Sequence, residues 1–162
     1  MKRILIIGCP GTGKSTLARA LAALTHLPLY HLDLIWHKSD KSTITRRELC
    51  DKLMTILPQD EWIIDGNYPS TLDMRLKYAD TVILLDLPVE LALLGAKERL
   101  GKARDDIPWQ ESELDAEFEQ KILNFKEQTL PGMYECLKHF EGQLTVLHSR
   151  DEINMFLKGL GV

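Results

Sequence analysis

The segment Gly8-Cys9-Pro10-Gly11-Thr12-Gly13-Lys14-Ser15 fits the pattern G-x-x-x-x-G-K-[ST], and its neighbours give the pattern a structural setting. The preceding Lys2-Arg3-Ile4-Leu5-Ile6-Ile7 is an apolar run that reads as a buried strand, and the following Thr16 to Leu24 has helical composition and spacing. Strand, glycine-rich loop and helix in that order form a phosphate cradle. Glycines let the backbone turn so that successive N–H groups point inward, and the helix N-terminus adds partial positive charge at the same place. The loop predicts phosphate contacts from Gly8, Pro10, Gly11, Thr12, Gly13, Lys14, Ser15 and Thr16. Lys14 is expected at the β- and γ-phosphates, and the Ser15 hydroxyl in a Mg²⁺ shell. A nucleoside triphosphate is the ligand this implies.

The chain has 162 residues, 44% of them hydrophobic, which suits one domain with a sizeable core. A net charge of −4 gives no electrostatic footprint for nucleic acid. Three cysteines without a close pair argue against a disulfide framework or a zinc knuckle, and the five histidines show no metal-ligand spacing. No apolar run reaches membrane-spanning length and no signal peptide precedes the first strand, so a cytoplasmic protein is expected.

Further segments alternate between strand and helix. Leu27 to Asp33 reads as a second strand, Glu61 to Gly66 as a third, Thr81 to Asp86 as a fourth and Gln143 to Leu147 as a fifth. Thr45-x-x-Glu48 is a capping box that opens a helix ended by Pro58, and Ser149-x-x-Glu152 caps the last helix. Val89 to about Leu100 reads as a helix, and Glu113 to Phe140 as mostly helical with an interruption at Pro131-Gly132. Continuous apolar strands alternating with helices predict a parallel sheet covered on both faces, an α/β fold in a single domain over 1–162.

In such sheets ligands collect beyond the carboxyl ends of the strands, where this chain places Asp33, Asp65 and Asp86. An aspartate there can hold a Mg²⁺-bound water or orient an attacking hydroxyl. Function is expected for Asp33 and Asp65, whereas Asp86, before Leu87-Pro88, reads equally well as a cap. Arg75 is expected to clamp a phosphoryl group, since its planar fork matches phosphate oxygens. Arg99 and Arg104 flank or occupy the polar stretch Gly101 to Ser112, which predicts an arginine-bearing lid over a triphosphate. Trp36, His31 and His37 could line an acceptor pocket or simply pack.

Taken together, Gly8 to Ser15, Leu32-Asp33-x-Ile35-Trp36, Trp62-Ile63-Ile64-Asp65-Gly66-Asn67-Tyr68, Leu72-x-x-Arg75 and Leu85-Asp86-Leu87-Pro88 resemble the topology modulation proteins, small P-loop proteins related to adenylate kinase. The likeness extends through Glu117-Phe118 to Leu147-x-Ser149-Arg150-x-Glu152. It implies a P-loop NTPase of nucleoside-monophosphate-kinase type, a three-layer sandwich whose five-stranded parallel sheet has the order 2-3-1-4-5. It further implies that Asp65 organises Mg²⁺, that Arg75 binds substrate or phosphate, and that Ser149 and Arg150 border the adenine of ATP. Three departures stand out. An arginine usual in the helix after strand four is replaced around Gly95, and the lid's Arg-Pro-Asp is Arg104-Asp105-Asp106. The adenylate-kinase Asp-Gly-Phe-Pro-Arg is Asp65-Gly66-Asn67-Tyr68-Pro69-Ser70, so adenylate is not supported as acceptor.

The leading expectation is a small-molecule kinase that moves the γ-phosphoryl of ATP to a hydroxyl or phosphate acceptor. Lys14, Mg²⁺ at Ser15 and Asp65, and Arg104 would absorb charge while Asp33 orients the acceptor. The alternative is a nucleotide-binding regulator or ATPase linked to DNA topology. A nucleotide switch or motor is disfavoured: no Asn-Lys-x-Asp guanine signature occurs, and the chain is short for an AAA+ module with its extra helical domain. The expected partners are ATP and a small-molecule acceptor, without direct contact to nucleic acid or membrane.

Overall fold

The computed structural model describes residues 1–161. Its centre is a sheet of β1 (Arg3–Gly8), β2 (Leu29–His31), β3 (Trp62–Asp65), β4 (Thr81–Leu85) and β5 (Gln143–Leu147), arranged β2-β3-β1-β4-β5 with every pair parallel. This is the expected order. It follows from crossovers through helices, since parallel neighbours cannot be joined by a tight hairpin.

Alternate residues of β1 explain why the strand is apolar throughout. Ile4 and Ile6 face a layer containing α1 (Lys14–Thr25) and α8 (Arg150–Gly159), where Leu17, Ala18, Leu21 and Ile153 cover them. Leu5 and Ile7 face the opposite layer. That layer contains α3 (Arg46–Ile56), α5 (Val89–Glu98), α6 (Ala116–Leu123) and α7 (Leu130–Leu137), which contribute Leu49, Leu53, Ala92, Ile122 and Met133. All four isoleucine and leucine side chains are fully buried. At roughly 1.5–3 kcal/mol for each large apolar side chain removed from water, β1 anchors both layers.

Local signals set several helix ends. Thr45 and Glu48 form the expected capping box, and Ser149 accepts from the Glu152 N–H to start α8. Two boundaries differ from expectation. β2 ends at His31, and Asp33 lies in the first turn of a short helix, α2 (Leu32–Trp36), not in the strand. The long helical region is interrupted at Asn124 and a π-helical turn, Phe125–Thr129, because buried Phe125 turns inward there. Pro131 instead occupies the first turn of α7, where its missing N–H costs nothing. Another short helix, α4 (Leu72–Leu76), follows a 3₁₀ turn at Pro69–Thr71. Among the described residues no helix is long and apolar enough to cross a membrane.

Candidate functional site

The phosphate loop joins β1 to α1 and lies over the carboxyl edge of the sheet. Gly11 has φ +84° and Gly13 φ +94°, left-handed values that favour glycine. The loop also packs on backbone: a Cβ on Gly11 would stand 2.0 Å from the Ala92 carbonyl oxygen, and one on Gly95 would stand 2.1 Å from that of Gly11. α5 therefore meets the loop glycine to glycine, which explains why a large side chain has no room at position 95. Thr12 is buried and its hydroxyl donates to the Cys9 carbonyl at 2.6 Å, so this side chain braces the loop. From α8, Arg150 donates to the Thr12 carbonyl at 2.8 Å. Lys14, half-buried, donates to the Cys9 carbonyl at 3.0 Å. Burial lowers its pKa, and Asp65 and Asp33 act in the opposite direction.

Around the loop opens a cleft of about 1180 Å³. Pro10, Gly11, Gly13, Lys14, Ser15, Thr16 and Arg150 line one wall, and Asp33, His37, Asp65 and Tyr68 another. The segment from 102 to 113 forms the third. Asp65 is placed here by register: β3 pairs with β1 so that Asp65 stands opposite Ile6, two residues before the loop begins at Gly8. The Asn67 side chain then accepts from the Gly8 N–H at 2.8 Å and ties the two strand ends together. Asn67 is a site residue that the motif search alone does not single out.

Ser15 sits at the crowded centre. Its hydroxyl oxygen is 2.6 Å from Asp65 Oδ2 and 2.9 Å from Asp106 Oδ2. A hydroxyl has one proton and can donate to only one of these carboxylates. His31 Nδ1 lies 2.8 Å from the same Asp65 oxygen, and Asp65 Oδ1 is buried without a partner. An unpartnered buried carboxylate oxygen costs about 1–3 kcal/mol unless something satisfies it. Two carboxylates and a hydroxyl beside a phosphate loop fit a divalent cation that keeps several waters. Among the described residues no three of His, Cys, Asp and Glu are arranged to hold a metal by themselves, which agrees with a cation shared with phosphate oxygens.

Asp33 accepts from the Tyr68 hydroxyl at 2.5 Å. Burial first, and then the Asp33 charge and hydrogen bond, push the Tyr68 pKa far up, so Tyr68 stays the donor. Trp36 packs tilted against Tyr68 with centroids 5.7 Å apart, fixing that pair from behind. His37 does line the cleft and meets Trp109 edge-on at 5.0 Å.

The arginines divide sharply. Arg75 is fully buried, and its guanidinium donates to the Thr71 hydroxyl and to the carbonyls of Gly66, Asn67 and Tyr68. Burial brings its pKa down to about 9, which leaves it charged at neutral pH. It does not reach the cleft, so the expected phosphate clamp is corrected: Arg75 shapes the loop after β3. Arg104 is in the cleft, with a two-pronged bond to Asp106 at 3.0 and 2.7 Å and a further bond to Glu111 at 3.1 Å. Burial raises the Asp106 pKa, but the Arg104 bonds and charge outweigh this and hold it at about 2. Arg99 is half-buried at the cleft edge with an unpartnered Nε. Ser149 does not line the cleft, since its hydroxyl caps α8, so the adenine-side expectation is corrected for its side chain; Arg150 does line the cleft. Asp86 accepts from the Tyr134 hydroxyl at 2.9 Å and joins β4 to α7, a bracing role.

No curated protein matches the chain in sequence. Among solved structures, shikimate kinase from Bacteroides thetaiotaomicron is 16% identical with a TM-score of 0.64, covering 98% of this chain and 95% of that one. Shikimate kinase from Acinetobacter baumannii, in complex with shikimate, is 17% identical with a TM-score of 0.63, covering 99% and 90%. Deoxyadenosine kinase from M. mycoides with bound dATP is 15% identical with a TM-score of 0.57, covering 98% and 99%. At these identities the likeness establishes the fold, that of small P-loop kinases. A family model also matches residues 4–86, from β1 through the phosphate loop to the end of β4. Chain length argues against an AAA+ module, yet this nucleotide-binding core corrects that exclusion at the level of family. With just over half of its residues matched, the chain belongs to the ATPase family associated with various cellular activities (AAA).

Proposed function

We propose that this protein is an ATP-dependent small-molecule kinase, moving the γ-phosphoryl of ATP to a hydroxyl or phosphate acceptor. One observation carries the reading. A phosphate loop and an aspartate suited to hold an acceptor, Asp33 with its Tyr68 partner, face each other across a single cleft beneath an arginine-bearing segment. A pure nucleotide switch has no need of that second wall.

In this reading the backbone from Gly8 to Thr16 cradles the triphosphate, and Lys14 leaves the Cys9 carbonyl for the β- and γ-oxygens. Ser15 and Asp65 are the residues that would hold Mg²⁺. The ion supplies charge neutralisation to the migrating group. Asp33 orients the acceptor hydroxyl, and Arg150 borders the base, with ATP preferred over GTP. Gly101 to Ser112 is the lid, bringing Arg104 with Arg99 to the triphosphate and expelling water. The small-kinase fold of the structural neighbours supports the reading, and the resemblance to topology modulation proteins points the same way. A second reading, a nucleotide-binding regulator or ATPase, is favoured by the family match and by the occupation of Arg104 by two carboxylates.

Screening hydroxyl and monophosphate metabolites for ADP release above the water background tests the proposal. An acceptor that stimulates release, together with its phosphorylated product and loss of both in Lys14→Ala, is the expected result. Acceptor-independent hydrolysis throughout the screen would favour the second reading.

A further inference from the structure

Asp106 and Asp105 are indistinguishable in the sequence, but the fold separates them completely. Asp105 is exposed, whereas the Asp106 side chain is 6% exposed and turned into the cleft. It reaches across the chain to the phosphate-loop serine, Oδ2 to Ser15 Oγ at 2.9 Å. We infer that Asp106 is a second carboxylate of the divalent-cation site formed by Ser15 and Asp65, so that a cation bound there holds Gly101 to Ser112 on the phosphate loop. The inference rests on the proposed binding of a triphosphate with Mg²⁺.

Three features support it independently of Arg104. Ser15 cannot satisfy both carboxylates with one proton, so one of them faces the hydroxyl oxygen without a donated hydrogen, although Asp106 Oδ2 also accepts from Arg104. Asp65 is 4% exposed, and its Oδ1 has no partner at all. His31, on the sheet side, contacts the oxygen that Ser15 already approaches and leaves Oδ1 unpaired. A loop aspartate placed solely to pin the segment would need none of this. A cation entering between the acids would supply the partner that Asp65 Oδ1 lacks.

Arg104 gains a role from the same geometry. In the structure Asp106 is its principal partner, through both oxygens. When Asp106 turns toward the cation, the guanidinium is released to phosphate oxygens, which accept the same two-pronged bonding. Cation binding thus fastens the segment to the phosphate loop and frees its arginine in one exchange.

The test uses the full chain, a non-hydrolysable ATP analogue and Mn²⁺ as a spectroscopic substitute for Mg²⁺. Free Mn²⁺ is followed by electron paramagnetic resonance, and cleavage within 101–112 by limited proteolysis. Asp106→Asn should weaken Mn²⁺ binding in the ternary complex roughly tenfold or more, the usual consequence of losing an outer-sphere partner. Its affinity for the analogue without metal should not fall, since Arg104 is freed toward the phosphates and no phosphate donor is lost. In the wild type, Mn²⁺ should slow cleavage beyond the effect of the analogue alone, and in Asp106→Asn it should not. Asp105→Asn should behave as wild type, and Asp106→Glu should restore most of the Mn²⁺ affinity. Equal Mn²⁺ affinity, or equal Mn²⁺-dependent protection, in Asp106→Asn and wild type would overturn the inference while leaving nucleotide binding intact. Failure of the wild type to bind the analogue would overturn the inference and the nucleotide reading together.

Discussion

Two arginine-centred regions border the same cleft, the corner after β3 and the segment from Gly101 to Ser112, and their arginines are held in opposite ways. Arg75 is sealed in, bonded to a hydroxyl and to three backbone carbonyls, of which only that of Tyr68 also accepts from Thr71. Arg104 is bonded to two carboxylates in a segment without regular structure, whose base is closed by the Gly101 N–H to the Glu111 carbonyl at 2.6 Å. Phosphate can replace a carboxylate on a guanidinium, because both offer charged oxygens at similar spacing. It cannot replace the carbonyls of a corner without unfolding the corner. An arginine on neutral backbone is architecture, and one on acids at a cleft is exchangeable.

The largest effect expected from this contrast belongs to Arg75→Met. Burial is retained, but the carbonyls of Gly66 and Asn67 lose the guanidinium donor, at about 1–3 kcal/mol for each buried group left unsatisfied, while Tyr68 keeps its bonds from Thr71. Urea unfolding should show a loss of several kcal/mol, and any fall in turnover should track the lost fold. Wild-type stability with turnover abolished would return Arg75 to the catalytic role expected from sequence.

Arg104→Ala should behave in the reverse sense. Turnover with the acceptor should fall well over tenfold, about 1.4 kcal/mol or more of barrier, while nucleotide affinity changes much less. Unfolding in urea should shift little, since the pair it breaks stands on a loop outside both apolar layers. Turnover equal to wild type would mean that the lid contributes no charge to the transition state.

Smaller again is Tyr68→Phe, which removes the bond to Asp33 and leaves the packing against Trp36. A bond to a charged acceptor is worth roughly 1.5–3 kcal/mol, part of which water returns in an open cleft. The expected signature is a raised KM for the acceptor with unchanged nucleotide affinity. Raised KM for ATP instead would place Asp33 on the donor side.

How much of this was legible in the sequence differs between the two regions for a physical reason. The phosphate loop, the sheet order and Asp65 at a strand end follow from local pattern or from a family resemblance, because glycine spacing and apolar runs encode them directly. Arg75 misleads because the chain cannot announce whether a guanidinium faces phosphate or carbonyls; the short helix α4 that turns it inward has no periodicity to read. Asp33 sits in α2 because β2 is an edge strand only three residues long, and nothing in Leu27 to Asp33 marks its early end. Asp106 and Asn67 were hidden for another reason. Their partners lie 91 and 59 residues away, and such contacts are set by the fold, not by spacing.

The smallest expected effect sharpens the comparison in protein free of nucleotide and cation. Asp106 is held at about 2 against an ordinary 3.8, so the Arg104–Asp106 pair contributes fully above about pH 4 and is lost as pH falls through 2. The Arg75 corner contains no carboxylate among its acceptors and has nothing to titrate in that window. Acidification from pH 4 to pH 2 should therefore loosen the lid selectively. Pepsin, active across this range, should cut within 101–112 progressively faster while cleavage near Gly66 to Tyr68 stays slow and far-UV circular dichroism holds. In Asp106→Asn the lid should already be loose at pH 4 and show little further change. If both regions opened together in the wild type, the lid would be part of the same cooperative unit as the corner, and an arginine on carboxylates would be no more exchangeable here than one on carbonyls.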